Sequence, residues 1–508
     1  MIRKSILSIL LCLLLLTLCG CGSEAPDTVV SIDQLDAPGY TVGAAPGKNS
    51  YTDVEEAFTE AEIMAFSGLT NGILAVRNGV IHGYADSENV IEVAMASGSL
   101  EGLTMLDGYI GKETDIVAGI SRKSAFPDLK NRIDAFLAEI KADGTMEDVY
   151  RRWIKEGLYE LPEIHRPENP TGRLVVGTTG LTTPFSFYMG DTLTGMDIEL
   201  IYRLADYLNA ELVIKTYDFY GIITALETGM CDCVFSNLNA SPEREEAMLF
   251  SAPIYTTRTR ILVRDASAVS GEKFFPRLLA SFEKTFLREA RWKMVLQGIG
   301  VTTVISLASG LLGTILGFGL CMLRRRKRSL IRPLTTVYIR IMQGTPIVVL
   351  LMILYYIVFA KSGLSGLWVA IIAFALNFAA YSSEIFRSGI DSVDIGQTEA
   401  ALALGYTGYQ AFMGIVLPQA ARQFLPVYRG EFISMVKMTS IVGYIAVQDL
   451  TKMSDIIRSR TYEAFFPLIA TALIYFLLSY LLTALLSASE NSIGSSRKER
   501  TVKGVVMK

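Results

Sequence analysis

The sequence has little of what metal and nucleophilic chemistry needs. Its 508 residues include only two histidines, His82 and His165, and six cysteines, and neither type falls at the spacing of a zinc site. Only two residues could therefore serve as the histidine of a catalytic triad. The formal net charge of −4 gives no reason to expect a nucleic-acid partner. The composition thus argues against a metal site, a histidine-based triad and a nucleic-acid ligand.

What the sequence has in excess is apolar residues, at 51%, concentrated at the N-terminus and after Val295. A basic start, an apolar run over residues 6–18 and small residues after it predict a signal peptide over residues 1–21. The run is too short to span a bilayer of about 30 Å. Leu18-Cys19-Gly20-Cys21 resembles a bacterial lipobox, which implies lipidation of Cys21. Plain cleavage and a retained anchor stay open, and in each case the next segment leaves the cytoplasm.

Between the two apolar regions, residues 40–264 alternate strand and helix patterns without long apolar runs, which predicts a soluble α/β region. Residues 75–84 align without gaps to residues 225–234, and each segment has the pattern of a helix stopped by glycine and followed by a buried strand. Two similar units predict a bilobal fold with a cleft between the lobes. Ligands of open α/β sheets bind beyond the carboxyl ends of the strands.

This region resembles the bacterial amino-acid-binding solute receptors (the family 3 type). The motifs that carry the resemblance to lobe 1 are Arg173–Thr178, Pro184–Phe187, Gly195–Leu200, Asp218–Ile223, Ser241–Arg244 and Phe250–Tyr255. Lobe 2 and the family's return segment come earlier, over residues 28–159, so the lobe order is swapped. We interpret this as a circular permutation, with 160–172 as the new joint and 173–265 as lobe 1. A truncated receptor followed by half of another is the alternative.

The resemblance implies a ligand-binding site for a free amino acid. Arg244 would bind the carboxylate as a planar fork. The segment before it would add backbone and short polar donors, from Ser236, Asn237, Asn239 and Ser241. Alternatives are that Arg244 is a surface arginine and that Ser241 only caps the following helix.

Other positions of the motifs would complete the cleft. Phe219 matches the position of the residue that stacks on the ligand, or it belongs to the core. Thr179 and Thr182 stand where relatives commonly have acidic and aromatic residues. On lobe 2, Gly47 and Asn49 belong to a glycine turn on the carboxylate side. Asp86 is the nearest candidate for the acid that binds the ammonium, although it falls one residue short of the expected spacing, and a solvated turn residue is the alternative.

The second apolar region predicts a membrane domain over residues 294–490, preceded by a linker over 266–293 in which an amphipathic helix lies at the membrane interface or packs on protein. Five spans are expected, the fourth of them weak because polar residues interrupt it. They lie at about 295–323, 334–360, 367–386, 426–448 and 463–487. The basic run over 324–328 marks the cytoplasmic side. The receptor is then outside, and the tail over 491–508 is cytoplasmic.

Residues 396–405 and 415–420 resemble the EAA loop through which ABC importer permeases of the histidine and glutamine type dock on their ATPase. The residues that would make this coupling contact are Glu399, Ala400, Ala401, Gly405, Leu417 and Pro418. Glu399 as an ordinary helix-surface acid is the alternative. The only stretch that suggests a phosphate loop, residues 43–49, fails the pattern, because Val42 and Asn49 stand where it needs Gly and Ser or Thr. ATP and Mg²⁺ are therefore expected on a separate ATPase, and no cofactor is expected in this chain.

The sequence therefore predicts a multidomain protein, with a bilobal α/β receptor domain and an all-α membrane domain of about five helices. It is expected to be the receptor and membrane subunit of an importer for a polar or charged amino acid, not an enzyme. Its expected partners are the amino acid, an ATPase dimer and a second permease subunit in a bacterial cell membrane, with a homodimer favoured. Two alternatives are a permease with a receptor that no longer binds, and a ligand-gated channel, for which we find no filter.

Overall fold

A computed structural model describes residues 29–98, 100–265, 274–325, 331–463 and 465–494. The predicted signal peptide, Cys21 and most of the cytoplasmic tail lie outside these residues, so their assignment stays a prediction. The described residues divide into an α/β region before residue 265 and a helical region after residue 274.

The α/β region contains thirteen strands and nine helices within its described residues. The strands are β1 Thr41–Ala44, β2 Glu62–Ala65, β3 Gly83–Ser87, β4 Leu103–Met105, β5 Ile110–Ser121, β6 Gly172–Thr178, β7 Leu181–Thr182, β8 Ser186–Met189, β9 Thr192–Thr194, β10 Ala210–Thr216, β11 Cys233–Asn239, β12 Met248–Phe250 and β13 Tyr255–Arg264. The helices are α1 Ile32–Leu35, α2 Asn49–Ala57, α3 Leu69–Arg77, α4 Glu88–Ala96, α5 Leu129–Ala142, α6 Thr145–Tyr150 with a π-helical extension Arg151–Lys155, α7 Met196–Tyr207, α8 Phe219–Thr228 and α9 Pro242–Glu245.

Two long strands join the halves of this region into one sheet, with the order β10-β6-β11-β5-β13-β3-β1-β2. Strand β5 pairs with β11 through its C-terminal half and with β13 through its N-terminal half. Strand β13 continues beyond that pairing to run antiparallel to β3. The outer strands on each side are parallel to one another, at β1–β2 and β6–β10. Each half is thus a βαβ-type lobe, and the described chain crosses between the two lobes in β5 and β13.

The internal repeat corresponds to equivalent helix ends in the two lobes. Helix α3 is followed by Gly79 at φ +67°, and α8 ends on Gly229 at φ +75°. Glycine adopts this left-handed conformation without the steric cost that a Cβ brings, so it ends a helix there. The next strands, β3 and β11, begin four residues later in both cases. The sequence repeat therefore marks the same structural unit twice.

The return segment, α5 and α6, packs on lobe 1 through a buried carboxylate. Glu199 of α7 is fully buried and accepts hydrogen bonds from Arg152 at 2.7 Å and from the indole nitrogen of Trp153 at 2.7 Å. Arg203 donates to the same carboxylate at 2.8 Å. Burial alone would raise the pKa of Glu199, but these hydrogen bonds outweigh it and the pKa is lowered. The segment before the joint is thereby fixed to the lobe that follows it.

The helical region is built from ten α-helices within its described residues. They are α10 Phe274–Phe282, α11 Trp292–Arg325, α12 Ile331–Gly344, α13 Ile347–Ile353, α14 Gly366–Asp391, α15 Ile395–Ala403, α16 Gly408–Ala411, α17 Leu417–Met438, α18 Leu450–Thr461 and α19 Phe465–Gly494. Helices α10, α13 and α16 continue into π-helical turns, and α17 continues into a 3₁₀ segment, Thr439–Ile445. Three helices, α11, α14 and most of α19, are long and apolar enough to cross a membrane.

Helices α11 and α14 form the centre of this region, and glycines let their backbones approach. A Cβ at Gly313 would lie 2.9 Å from the carbonyl oxygen of Ala375, and one at Gly317 would lie 2.8 Å from that of Ala379. Small residues at such contacts are typical of helix packing in membranes, where close van der Waals contact replaces the hydrophobic effect.

Two of the five predicted spans are bent in the structure. The segment expected as one span over 334–360 is broken between α12 and α13, whose axes differ by 109°. Pro346 precedes α13 in an extended conformation. Its ring also disfavours a helical conformation of the preceding residue, Thr345, so the helix ends there and the chain turns. The weak span bends by 55° between the segments 408–445 and 450–461, after the polar residues that interrupt it. Counting each bent pair as one span gives five.

The linker helix α10 packs on the helical region, which is one of its two expected environments. The rings of Phe282 and Phe286 contact Phe466 at the start of α19, at 6.0 and 5.9 Å between centroids. Leu279 stays 70% exposed on the same helix. The helix therefore packs on protein along one edge and leaves an apolar edge for another environment.

Candidate functional site

The predicted carboxylate anchor, Arg244, lies at the edge of the cleft and reaches across it. Its guanidinium donates to the backbone carbonyl of Asn239 at 3.1 Å and to the Asn239 side chain at 3.0 Å. It also donates to the carbonyl of Gly47, which belongs to the other lobe. Gly47 has φ +81°, so the glycine turn that carries this carbonyl depends on a residue without a Cβ. Arg244, Asn239 and Gly47 are therefore brought together as predicted, but they bind one another.

The predicted ammonium acceptor, Asp86, is also bound by a group of the protein. Asp86 is fully buried, and both of its carboxylate oxygens lie 3.0 Å from the ammonium of Lys48. Lys48 is the residue between Gly47 and Asn49 in the glycine turn, and its side chain is 20% exposed. The sequence reasoning missed this ion pair, in which an ammonium of the protein lies on the predicted ammonium acceptor. The lysine beside the predicted turn is the signal that could have pointed to it.

The remaining predicted positions fall into two groups. Ser236 donates to Thr179 at 3.0 Å, and both are buried in the wall of the cleft where Thr182 also lies. Asn237 and Asn49 have structural partners instead: Asn237 accepts from Tyr255 at 2.8 Å, and Asn49 donates to Asp53 and Thr114 at 2.8 and 2.7 Å.

Two positions contribute less than expected to the described geometry. Ser241 precedes α9, but within the described residues its side chain makes no capping hydrogen bond. Phe219 begins α8, and its side chain lies outside the described part of the structure, so its stacking role stays a prediction.

A cavity of about 500 Å³ lies beside this cleft and is lined by both halves of the chain. Lys48, Thr179 and Thr182 contribute from the cleft, and Asp218 contributes from the start of α8. The opposite side is lined by the 3₁₀ segment, by α18 and by the residue after α18. These residues are Ser440, Gly443, Tyr444, Thr451, Lys452, Asp455, Arg458, Ser459 and Tyr462. The volume is within the range of about 300–1,000 Å³ that is usual for small-molecule sites. The cleft thus faces the helical region at this point.

Helix α18 and its flanks are the elements that hold the receptor against the helical region. Arg458 donates to Asn71 of lobe 2, and Gln448 donates to Tyr188 of lobe 1. Arg460 lies over the rings of Tyr159 and Phe187 at 5.3 and 4.9 Å. Both lobes are therefore bound at once. The sequence reasoning missed this helix, because it carries no motif and its role comes from the placement of the two regions.

Two charged residues of the cavity, the half-buried Asp218 and the buried Lys452, have different environments. Asp218 caps α8 by accepting from the Gly221 amide at 2.8 Å, and burial raises its pKa above the usual range despite that hydrogen bond. Lys452 is only 7% exposed. Within the described residues no carboxylate lies within ion-pair distance of its ammonium, and no acceptor within hydrogen-bonding distance.

The predicted coupling loop forms a protruding knob, made of α15, α16 and the turn between them. Glu399, Ala400 and Gly405 are exposed, whereas Ala401 is buried; Leu417 and Pro418 begin α17. Gly405 has φ +89° in the turn between the two helices. Large apolar side chains are exposed around it, at Ile395, Leu402, Leu404, Tyr406, Tyr409 and Met413. An exposed apolar group of this kind is typical of a protein-binding surface.

The knob and the receptor lie at opposite ends of the helical region. Met294, at the start of α11, packs with Met453 and Ile457 near the receptor. Cys321, near the end of α11, packs with Val416 beside the knob. A helix of 34 residues is about 51 Å long, so the two surfaces are separated by that order of distance.

Comparison with known proteins identifies the helical region. The family model described as binding-protein-dependent transport system inner membrane component matches residues 309–494. The probable amino-acid ABC transporter permease protein YckA of Bacillus subtilis is 40% identical over 183 residues, which are 36% of this chain and 80% of YckA. The chain therefore belongs to the amino-acid ABC transporter permease family.

An amino-acid ABC permease and two solved structures are also similar to parts of this chain. The arginine transport system permease protein ArtQ of B. subtilis is 35% identical over 207 residues, covering 40% of this chain and 93% of ArtQ. The solved structure of an amino acid ABC transporter with histidines is 31% identical, with a TM-score of 0.38, and covers 44% of this chain and 99% of that one. A mutant of ArgBP from T. maritima covers 45% of this chain and 82% of that one, at 14% identity and a TM-score of 0.24. The predicted permease resemblance and the combination of an α/β domain with a helical membrane domain are confirmed.

Proposed function

We propose that this permease carries its own substrate receptor and imports a polar or charged amino acid. The observation that carries the proposal is the cavity of about 500 Å³ that is lined by the receptor cleft on one side and by α18 on the other. A substrate that leaves the cleft through this cavity lies next to the membrane domain. Tethering also gives the receptor an effective concentration on the order of millimolar, so weak docking suffices.

A separate ATPase dimer would drive the transport and would hold the ATP and Mg²⁺. The exposed apolar knob around Leu404 and Tyr409 supports this assignment, because it lies near the end of α11 opposite the receptor. The receptor would then face the outside of a bacterial cell membrane, and the knob and C-terminus the cytoplasm. A second copy of this chain, or a similar permease, would complete the membrane pore. Cys21, if lipidated, would add an anchor.

We propose circular permutation as the origin of the receptor's lobe order. Strands β5 and β13 cross between the lobes as a pair, and the return segment packs on lobe 1 through Glu199. These features support one complete bilobal domain over two partial ones. In the permuted order the last strand of the receptor, β13, ends at Arg264. The linker over 266–293 leads from there into the membrane domain.

The cleft also favours a second candidate, a permease whose receptor no longer binds amino acids. Asp86 pairs with Lys48, and Arg244 binds Gly47, so the charged groups expected to hold a ligand have partners in the protein. The two candidates predict different binding behaviour. In an importer these contacts are what the protein forms after release, whereas in a non-binding receptor they are permanent.

Calorimetry on the full chain in lipid nanodiscs tests the proposal against the twenty common amino acids. We expect one or a few polar or charged amino acids to bind, and Arg244→Met to weaken that binding at least about 10-fold, since a charge-assisted hydrogen bond contributes about 1.5–3 kcal/mol. Arg151→Met is the matched control, because Arg151 makes only exposed ion pairs on lobe 1. A folded chain that binds none of the amino acids would support the non-binding candidate.

The ATPase assignment is tested by co-purification of the partner ATPase with the full chain. Leu404→Asp should abolish the association, because it places a carboxylate in the most exposed apolar position of the knob, where Leu404 is 78% exposed. Leu158→Asp is the control, since Leu158 is an exposed leucine of the receptor. Equal association of both variants would contradict a docking role for the knob.

A further inference from the structure

The Lys452 side chain is mostly buried, and its ammonium forms no direct ion pair with the carboxylates near it among the described residues. Its side chain lines the cavity between the receptor and α18, and the residue is 7% exposed. The stem of Lys452 lies against Gly443, where the nearest stem carbon is 3.5 Å from the position that a Cβ would occupy. That contact places the Lys452 side chain along the wall of the cavity. Among the described residues, no group forms an ion pair or hydrogen bond with the ammonium.

The neighbouring carboxylates are engaged elsewhere. Asp449 accepts from the Lys452 backbone amide at 2.9 Å and from the Tyr475 hydroxyl at 3.0 Å. Asp455 pairs with Arg458 at 3.0 Å. Asp218 accepts from the Gly221 amide at 2.8 Å. These acids lower the cost of placing a cation nearby, but each has directional partners of its own.

An ammonium that faces a small cavity without a protein acceptor is only partly solvated, and an anion bound beside it lowers the cost of that partial burial. The cavity supplies space for one, and it adjoins the cleft whose predicted ligand has a carboxylate. It also contains Asp218 and Asp455 on its wall, so both signs of charge are present, as a zwitterion requires.

We propose that Lys452 is a carboxylate-binding residue of the membrane half, which takes the carboxylate of the amino acid as the receptor cleft releases it. This inference rests on the proposed function, and it assigns to α18 a binding site separate from Arg244. The site would receive the substrate outside the receptor and before the membrane pathway. Arg458, which is held by Asp455 and Asn71, would keep α18 in place against lobe 2 without binding the substrate.

Thermal unfolding of the full chain in nanodiscs, with small probes at equal ionic strength, tests the site without knowledge of the substrate. The probes are acetate for the carboxylate, acetamide as its neutral analogue, methylammonium for the ammonium and chloride as a simple anion. We expect acetate to raise the midpoint temperature, since a ligand that binds only the folded state stabilises it. The other three should leave it unchanged within error.

Substitution then assigns the effect to one residue. Lys452→Gln should abolish the acetate shift and Lys452→Arg should keep it, whereas Arg151→Met should also keep it because Arg151 makes exposed ion pairs and does not line the cavity. Lys452→Gln should unfold at the same temperature as the native chain or higher, because it removes an unpaired buried charge; should the Gln variant not fold, Lys452→Met replaces it.

An equal shift with acetate and chloride, or an acetate shift that survives Lys452→Gln, would overturn the proposal. A lower midpoint for both neutral variants would also overturn it, since that is the result of a structural ion pair. Failure of the chain to bind any amino acid in calorimetry leaves this experiment unaffected, so a failure of the proposed function and a failure of this site are distinguishable.

Discussion

Replacement of Lys48 by methionine tests whether the cleft holds its own substitute for a ligand. In the structure the Lys48 ammonium lies 3.0 Å from both oxygens of the fully buried Asp86. A bound amino acid whose ammonium takes this position must first displace Lys48. Methionine keeps much of the apolar stem and removes the charge, so Asp86 becomes available.

The expected magnitude follows from the pair that is lost. A hydrogen bond between charged groups contributes about 1.5–3 kcal/mol, and each 1.4 kcal/mol is a factor of ten in affinity. Lys48→Met should therefore tighten amino-acid binding by about 10- to 150-fold. The ligand-free variant should also lose stability, because a buried carboxylate without its partner is costly, and the amino acid should restore it.

Calorimetric titration of the full chain gives the affinity, and the ligand-induced change in midpoint temperature gives the stability. Lys155→Met is the control, because Lys155 pairs with Glu92 where both side chains are exposed, and such pairs contribute little. Unchanged or weaker binding by Lys48→Met would refute the reasoning, since Lys48 would then be a ligand contact or Asp86 would lie outside the ammonium site.

Three further predictions concern stability. Glu199→Ala should destabilise the receptor by about 3 kcal/mol in urea unfolding, because two arginines lose a buried carboxylate, whereas Glu156→Ala, at an exposed pair, should have little effect. Burial raises the pKa of Asp197 to about 7, so the native receptor should lose at most about 4 kcal/mol of stability as the pH rises from about 4 to 7. In pH-dependent melting, Asp197→Asn should remove that loss. If the dependence of stability on pH were the same in Asp197→Asn, the prediction would be wrong. Gly317→Leu should prevent recovery of monodisperse protein, because α11 and α14 are in backbone contact there, whereas Gly319→Leu, whose Cβ would meet nothing within 4 Å, should be recovered normally.

The sequence was most informative where local chemistry decides the structure. Glycine ends both helices of the internal repeat, and polar residues in the weak span coincide with the change from α17 to the 3₁₀ segment. The bend at Thr345-Pro346 was missed, although the proline was visible, because the apolar run continues through it. The number of apolar residues in a run gives the length of a membrane segment, but it does not show whether the helix bends within that segment.

The site was predicted less completely because its key contacts join distant parts of the chain. Arg244 and Asp86 were identified from motifs, but the direction of the Lys48 side chain between two predicted ligand residues depends on the packing of lobe 2. The role of Lys452 depends on how the receptor sits on the membrane domain. No local pattern encodes that placement.

The most direct test of the central claim is uptake of the amino acid identified by calorimetry into proteoliposomes that contain this chain and its ATPase, with no soluble binding protein added. We expect ATP-dependent accumulation that Arg244→Met strongly reduces at substrate concentrations near the native affinity. Uptake that is unchanged by Arg244→Met, or that begins only when a soluble receptor is supplied, would contradict it.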